Sequence, residues 1–220
     1  MKIKSYKPNE INDCREASQI SATILDELAS YISEGITTGE VDNYCLERIK
    51  KLGGIPAPLF YRGFPKPTCT SLNRVICHGI PSNDRKLLEG DILNVDITTI
   101  INGWHGDSSR MYKIGKVSVK ANNLCEVTHQ CLIESIKEIK VGDSISRIGK
   151  KIDEIANKNY FSVVRDFCGH GVGKNFHESP SILHYYDPEY DNIKFIDGMI
   201  FTVEPMINSG KYHSKILTDG

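Results

Sequence analysis

The sequence predicts an α+β fold made of two similar halves around a shared cleft. Two observations support this prediction. A pair of amphipathic helices followed by short strands occurs twice along the chain, and Gly35-Ile36-Thr37 aligns with Gly142-Asp143-Ser144 at a fixed offset. Such repetition is typical of duplicated halves. We therefore expect one domain over residues 1–220, with half-repeats at about 9–118 and 119–220.

Helices are predicted to begin the first half. Apolar residues recur every three or four positions over residues 9–34, which indicates an amphipathic helix ended by the glycine that follows. Thr37 and Glu40 have the spacing of a capping box, so a second helix follows and ends at Gly53-Gly54. Prolines interrupt residues 55–67 and predict an ordered loop whose aromatic side chains line a pocket or pack inward.

Strands and two further helices are predicted for the rest of the chain. Short strands are expected near 68–77 and a β-hairpin at 91–114. A helix over residues 121–140 and another beginning after Ser144 open the second half. Three more strands are expected at 161–168, 169–176 and 199–207.

The hairpin is predicted to place two aspartates on one face. Asn102-Gly103 suits a type I′ turn, whose two central residues need positive φ. Centring the turn there pairs Thr98 with Asp107, so Asp96 faces the same side, diagonal to Asp107. Asp is depleted in mid-strand, and two converging acids repel unless a proton or a cation lies between them. The pair therefore predicts a cation site, although either aspartate alone could be a turn former.

Three other segments carry side chains that suit such a site. His170 lies in the glycine-rich stretch G-H-G-V-G, where glycines allow close approach to the backbone. Glu204 is embedded among apolar residues, and a buried glutamate needs a partner. His78 and His177 each follow a short apolar stretch at a turn, where loops present catalytic groups. Each of the four could also be an ordinary packed or surface residue.

Asp96, Asp107, His170 and Glu204 together form an oxygen-rich set with one imidazole. Structural zinc sites favour Cys and His, so this set favours a hydrolytic site for manganese, iron, cobalt or zinc. Two such ions at roughly 3.5–4 Å can activate water and polarise a carbonyl. The spacing of these residues therefore predicts a metallohydrolase.

Composition argues against several other classes of protein. The formal net charge is −1 and no basic block occurs, so nucleic acid is not expected as the main partner. The start, MKIKSYKPNEI, has no apolar core of a secretory signal, and no apolar run approaches the length of a membrane span. Seven cysteines without C-x-x-C spacing indicate reduced thiols, hence a cytoplasmic protein.

Four groups of motifs carry a family resemblance. They are Ser71–Pro81, Asn94–Thr98 with His105–Ser109, Gly169–Gly173 with Phe176–Glu178, and Phe201–Pro205. On these stretches the chain resembles the type I methionine aminopeptidases of bacteria and organelles, which are M24 metallopeptidases. The resemblance implies the pita-bread (creatinase/aminopeptidase) fold, with pseudo-twofold halves around a central metal cleft.

The same resemblance implies two divalent metal ions, of manganese, cobalt, iron or zinc. Asp96 and Asp107 would ligate the second ion, with Asp107 bridging to the first, which His170 and Glu204 would complete. The family also has a bridging glutamate on a later strand, and a tryptophan directly after an Asp-Gly pair. This sequence ends at Thr218-Asp219-Gly220 with no glutamate after Glu204. The sequence is therefore expected to be a fragment of a longer protein or a truncated homologue without the last strands, and an end in the middle of a motif favours the fragment.

Catalytic and substrate-binding roles follow from the resemblance too. His177 would stabilise the tetrahedral oxyanion, His78 would contact the scissile nitrogen and protonate the leaving amine, and Glu204 would relay a proton. The residues implied for the methionine pocket are Phe60, Tyr61, Phe64, Cys69 and Phe176. The implied reaction removes the initiator methionine of nascent proteins and prefers a small second residue. A monomer with transient ribosome association is expected.

Two alternative functions remain open at this point. Prolidases and aminopeptidases P share the fold and the ligands, but commonly carry another histidine soon after the one matching His170. This chain has Gly173-Lys174-Asn175 there. The other alternative is a non-catalytic pita-bread module that binds peptides or ribosomes, although such relatives usually lose ligands.

Overall fold

The computed structural model describes residues 3–219, which fall into two compact units. The first, which we call the hairpin unit, comprises Tyr6–Asn122 and Val172–His177. The second, the C-terminal unit, comprises Met1–Ser5, Asn123–Gly171 and Glu178–Gly220. Within residues 3–219, no helix has the length and apolar character of a membrane span.

Helices α1 (Pro8–Tyr31) and α2 (Thr38–Lys51) open the hairpin unit, where helical periodicity predicts them. Helix α1 ends earlier than predicted, because the backbone is already extended at Ile32 (φ −68°, ψ 121°). The predicted capping box is confirmed at the start of α2. The Thr37 hydroxyl accepts a hydrogen bond from the Glu40 N–H, and the Glu40 carboxylate accepts one from the Thr37 N–H at 2.7 Å.

The hairpin unit contains a four-stranded antiparallel sheet. Its strands are β1 (Ile55–Pro56), β2 (Cys69–Leu72), β3 (Ile92–Ile101) and β4 (Trp104–Lys113). Strand β4 pairs with one edge of β3 along its whole length, and β1 and β2 share the other edge. Strand β2 is shorter than the predicted 68–77, because the chain turns at Asn73, which has φ +53°.

The β3–β4 hairpin has the predicted turn and register. Asn102 and Gly103 have φ values of +50° and +77°, as a type I′ turn requires. Ile101 pairs with Trp104, and Thr98 pairs with Asp107. The fixed register matters because a shift by one residue would move every side chain of a strand to the other face.

Helix α1 packs closely against strand β4 at Gly106. A Cβ atom at this position would lie 2.1–2.3 Å from backbone atoms of Ala17 and Ser18. The Ser21 hydroxyl donates to the Gly106 carbonyl at 2.7 Å, and this contact is buried. Glycine at this position therefore sets the distance between the helix and the strand that carries Asp107.

Substituting Gly106 with alanine is expected to lower the free energy of unfolding by about 3 kcal/mol or more, because two backbone segments would have to move apart. Urea unfolding measured by circular dichroism tests this expectation. Gly210→Ala is the matched control, since a Cβ there meets no atom within 4 Å. Equal stabilities for the two variants would contradict the close packing at Gly106.

The C-terminal unit is built on helix α3 (Val119–Ile136) from Asn123 onward, helix α4 (Ser146–Lys158) and two short strand pairs. Strand β5 (Ser162–Val163) pairs with β8 (Ile207–Asn208), and β6 (Gly169–Gly171) pairs with β7 (Glu178–Ile182). The core of this unit includes Cys131, Ile148, Ile152, Val163, Ile182 and Phe195.

The strands predicted at 161–168, 169–176 and 199–207 are wrong in extent. In the last segment, the Thr202 N–H donates to the His170 carbonyl at 2.8 Å and the Glu204 N–H donates to a histidine ring. Pro205 has no N–H to donate. The first of these bonds belongs to an isolated bridge between Phe201 and Gly171, and Ile207–Asn208 forms the strand in this segment.

The segments that precede helices α2 and α4, one in each predicted half, have the same local structure. Gly35 and Gly142 have φ values of +91° and +88°. The Gly35 N–H donates to the Leu87 carbonyl at 2.8 Å, and the Gly142 N–H donates to the Phe195 carbonyl at 2.9 Å. An isolated β-bridge follows each glycine, at Thr37 and at Ser144. This correspondence supports the predicted duplication, whose boundaries stay a prediction.

Candidate metal centre and active site

The hairpin unit presents Asp96 and Asp107 on one face of the β3–β4 hairpin. Asp96 pairs with Ser109 and Asp107 pairs with Thr98, which makes the two acids diagonal neighbours. On the other edge of β3, Asp96 pairs with Cys69. The position of both aspartates on one face follows from the two-residue turn, as predicted.

The surroundings of this pair disfavour negative charge. Burial raises the pKa of Asp96 well above its usual value, and the nearby carboxylate of Asp107 raises it further. Burial raises the pKa of the Cys69 thiol as well, with smaller contributions from Asp96, Cys77 and Asp107. Cys69 is therefore a neutral thiol at physiological pH. A cation beside the two carboxylates would relieve the cost of ionising both.

The C-terminal unit brings His170 and Glu204 together. His170 Nε2 lies 3.6 Å from Glu204 Oε1. Thr202 connects the two residues, because its hydroxyl accepts from the His170 N–H at 3.0 Å and donates to Glu204 Oε1 at 2.6 Å. Thr202 was not among the predicted site residues, although it lies two positions before Glu204 on the same extended segment.

The ring of His170 is oriented by its own backbone neighbour. Its Nδ1 lies 3.0 Å from the Gly171 carbonyl, which can only accept, so the ring proton is on Nδ1. Burial lowers the pKa of His170, which favours the neutral ring. The Nε2 lone pair then faces the carboxylate of Glu204. This is the arrangement in which histidine ligands are held for a metal ion.

A second histidine, His184, contacts the same segment. It is fully buried in the C-terminal unit, and its Nε2 accepts a hydrogen bond from the Glu204 N–H at 3.1 Å. Burial, with a smaller contribution from His170, lowers its pKa to about 3. The sequence analysis missed His184, since a lone histidine in L-H-Y-Y belongs to no motif and its role depends on a tertiary contact.

The segment Val172–His177 carries two predicted site residues on the hairpin unit. The ring of His177 stacks on Tyr61, with centroids 5.2 Å apart and an interplanar angle of 19°. The Phe176 ring lies 4.9 Å from Tyr61 and stacks against His105 at 5.7 Å. Tyr61, Phe176 and His177 therefore form one aromatic group, and their roles in a methionine pocket and as oxyanion donor stay predictions.

Tyr6 and Trp104, which the sequence analysis did not select, anchor this segment through Lys174. The Lys174 N–H donates to the Tyr6 hydroxyl at 3.3 Å, and Lys174 Nζ lies 4.2 Å from the centre of the Trp104 ring. Trp104 is buried and packs edge-on against Tyr6. The one tryptophan of the sequence, next to the hairpin turn, was the available indication of this anchor.

His78 has the strained backbone that functional residues often show, with φ +54°. The neighbouring Gly79 is held against strand β2. Its carbonyl accepts from the Thr70 N–H at 2.7 Å, and its N–H donates to the Ser71 hydroxyl at 3.1 Å. A Cβ at Gly79 would lie 2.3 Å from the Thr70 carbonyl oxygen. Strand β2 therefore fixes the position of His78.

Ser71→Ala is expected to lower the free energy of unfolding by about 1–3 kcal/mol, because the buried Gly79 N–H would lose its acceptor. If His78 has the role that the resemblance implies, kcat for a peptide that begins with methionine should fall as well, because the backbone at His78 would be less firmly held. Chemical denaturation and steady-state kinetics measure the two effects. Ser30→Ala, at an exposed site on α1, is the control. Unchanged stability and kinetics in Ser71→Ala would contradict this role.

The other residues predicted for the methionine pocket differ in burial. Cys69 is buried, and Tyr61 and Phe64 are half-buried. Phe60 has φ +66° and is 78% exposed. Its ring is thus mostly in solvent, which makes it the least supported of the predicted pocket residues.

The predicted metal ligands are found as two pairs, Asp96 with Asp107 and His170 with Glu204, in different units. Over residues 3–219, no three His, Cys, Asp or Glu side chains are grouped as a metal site. Each pair nevertheless has the chemistry of a partial ligand set. The acid pair has a charge that needs compensation, and the His–Glu pair turns a ring lone pair toward a carboxylate. The residues present therefore fit divalent metal ions.

Comparison with protein families supports a metal-dependent enzyme, and the match covers nearly the whole chain. The model of metallopeptidase family M24 matches residues 12–217. The chain belongs to metallopeptidase family M24. Within it, the chain is similar to methionine aminopeptidases, as the resemblance of its motifs predicts.

Named relatives and solved structures support this placement. The methionine aminopeptidase of Rickettsia prowazekii is 43% identical over 96% of this chain and 81% of the relative. Methionine aminopeptidase A of Synechocystis sp. is 47% identical over 96% of this chain and 83% of the relative. The crystal structure of the Rickettsia enzyme has a TM-score of 0.95 at 41% identity, and covers 99% of this chain and 87% of that one.

The likeness to a prolidase shows the fold alone. The prolidase of Pyrococcus furiosus has a TM-score of 0.75 at 20% identity, over 94% of this chain and 60% of that chain. The pita-bread fold is therefore confirmed, and the prolidase alternative is not favoured.

Proposed function

We propose that this chain hydrolyses the first peptide bond of polypeptides that begin with methionine, and so removes the initiator methionine of nascent proteins. Membership of family M24 and similarity to methionine aminopeptidases support a metallo-aminopeptidase. The observation that carries the proposal is the acid pair of Asp96 and Asp107, placed on one hairpin face where ionisation of both needs a cation.

The proposed metal ligands are Asp96, Asp107, His170 and Glu204, and the proposed number of ions is two. Manganese, cobalt, iron and zinc all suit carboxylate and imidazole ligands. Bound ions would supply a Lewis acid for the scissile carbonyl and an activated water as nucleophile. Thr202 holds the carboxylate of Glu204, and the Gly171 carbonyl holds the ring of His170.

Two histidines of the hairpin unit carry the proposed proton and oxyanion chemistry. His177 would donate a hydrogen bond to the substrate carbonyl oxygen as negative charge develops there. Its stacking on Tyr61 fixes the direction of that donor. His78 would contact the scissile nitrogen and protonate the leaving amine, and Glu204 would relay the proton of the nucleophile.

Selectivity for methionine is proposed to come from the aromatic group of Tyr61 and Phe176 together with Cys69. The two rings lie 4.9 Å apart, and Cys69 is a buried neutral thiol. A thioether makes favourable contacts with aromatic edges, and an unbranched side chain adapts to such a pocket. A small second residue is expected to be preferred, as in the family.

Metal titration combined with a peptide panel tests the proposed function. Isothermal calorimetry of the full-length protein with MnCl₂ should show saturable binding. Met-Ala-Ser should then be cleaved, whereas Leu-Ala-Ser and acetyl-Met-Ala-Ser should be cleaved slowly or not at all, and Leu-Pro-Ser tests for a proline-directed activity. Metal binding without cleavage of Met-Ala-Ser would leave the non-catalytic binding module. Preferential cleavage before proline would favour a proline-directed peptidase.

We also propose a cytoplasmic monomer that meets its substrate in transient association with ribosomes. Cys45, Cys69, Cys131 and Cys168 are free thiols, as a reducing compartment favours. Sedimentation velocity would give the mass of the free protein, and co-sedimentation with ribosomes carrying nascent chains would test the association.

A further inference from the structure

His184 is buried in the C-terminal unit and directed at the backbone of Glu204. It follows strand β7, none of its side chain is exposed, and its Nε2 accepts from the Glu204 N–H at 3.1 Å. Thr202 holds the carboxylate of the same residue. Glu204 is therefore fixed at two points, its backbone by His184 and its carboxylate by Thr202.

The state of Nδ1, the other ring nitrogen of His184, indicates that the contact between Nε2 and the Glu204 N–H has a function. Because Nε2 accepts a hydrogen bond, the ring proton must be on Nδ1. Nδ1 is buried, and the described part of the chain offers it no hydrogen-bond partner. An unsatisfied buried donor costs stability that an apolar side chain of similar size would not. Such a group in a native structure calls for an explanation beyond packing.

The segment that carries His184 is itself fastened to helix α4. A Cβ at Gly149 of α4 would lie 2.1 Å from the Tyr185 carbonyl oxygen, so only glycine allows the segment this close. The Tyr186 N–H donates to the Asp153 carboxylate at 2.7 Å. Helix α4 therefore provides a rigid support from which the imidazole reaches Glu204.

We propose that His184 is a positioning residue that directs the carboxylate of Glu204 toward the metal by holding its backbone N–H. This inference rests on the proposed function, in which Glu204 is a metal ligand. Pro205 follows Glu204 and has no N–H of its own, so the backbone at this point has few other anchors. Residues that orient a metal ligand typically change metal affinity by about 10- to 100-fold when they are replaced.

Glutamine and asparagine at position 184 form a matched pair for the test. In His184→Gln, the side-chain oxygen can take the place of Nε2 and accept from the Glu204 N–H. In His184→Asn, the polar atoms reach only the position of Nδ1, and the acceptor is lost. His184→Leu removes every polar atom at similar volume. His129→Asn, at an exposed position on α3, controls for loss of a histidine.

Calorimetry with MnCl₂ on the full-length protein gives the main measurement. We expect about 10- to 100-fold weaker Mn²⁺ binding in His184→Asn and His184→Leu, near wild-type binding in His184→Gln, and no change in His129→Asn. With saturating metal and Met-Ala-Ser, kcat should fall in His184→Asn while KM stays the same. Circular dichroism verifies folding, and the Gln and Asn variants decide the result if the Leu variant does not fold.

Two results would overturn the inference. One is wild-type Mn²⁺ affinity in His184→Asn, and the other is equal impairment of the Asn and Gln variants, which would show that packing rather than the acceptor matters. Failure of the wild-type protein to bind Mn²⁺ or to cleave Met-Ala-Ser would instead contradict the proposed function.

Discussion

Replacing Asp107 with asparagine is expected to abolish cleavage of Met-Ala-Ser. The proposed bridging ligand would lose its negative charge while the size of the side chain is kept. Metal ions contribute several kcal/mol of transition-state stabilisation, so kcat/KM should fall by about a thousandfold or more. Asp26→Asn is the matched control, because it removes only a surface ion pair with Arg110, which is worth little.

The same variant has a second, opposite effect on stability. In the metal-free protein, burial and the charge of Asp107 raise the pKa of Asp96, so keeping Asp96 ionised at neutral pH destabilises the fold. Removing the charge of Asp107 should therefore raise the free energy of unfolding of the metal-free protein, by about 1 kcal/mol. Thermal melts with and without MnCl₂ measure this. Turnover like that of the wild type, or a metal-dependent increase in melting temperature that survives in Asp107→Asn, would contradict the role of this residue.

Replacing His177 with alanine is expected to lower kcat by about 100- to 1,000-fold, which is typical of removing one oxyanion donor. The imidazole would interact with the substrate most strongly when negative charge develops on the carbonyl oxygen. KM for Met-Ala-Ser should therefore change little, and Mn²⁺ affinity should stay that of the wild type. Steady-state kinetics with saturating metal give kcat and KM, and calorimetry gives the Mn²⁺ affinity.

Two further variants sharpen the interpretation of His177. His177→Gln keeps a hydrogen-bond donor and should recover part of the lost kcat. His129→Ala removes an exposed histidine of α3 and should have no effect. A rise in KM at constant kcat in His177→Ala would mean that this residue binds the ground state and the transition state equally, which would contradict the oxyanion role.

The parts of the fold that sequence predicted well are governed by local interactions. The register that aligns Asp107 with Thr98 follows from two turn residues, and the start of helix α2 follows from the capping box of Thr37 and Glu40. The strand predicted at 199–207 was wrong because apolar composition does not show where backbone N–H groups donate. There, the Glu204 N–H donates to a side chain.

The residues of the candidate site likewise fall into those that local sequence predicts and those that only tertiary contacts reveal. The proximity of Asp96 and Asp107 could be worked out from the chain alone, because both lie on one hairpin. The roles of His170 and Glu204 came from resemblance, since their contact joins segments distant in sequence. His184 and Tyr6 belong to no motif, and only tertiary structure brings them next to site residues. Sequence reasoning had no local pattern from which to select them.

The two-residue loop at Asn102-Gly103 also restricts how this gene can evolve. Point substitutions along the hairpin change one side chain at a time, and many are tolerable. A single-codon insertion or deletion in the loop would instead abolish the two-residue type I′ turn, and any one-residue shift of register that followed would reverse the in–out alternation of the second arm and aim Asp107 away from Asp96. Loop-length variants that shift this register should therefore lose metal binding in a single step, whereas variants that keep Thr98 paired with Asp107 should retain it.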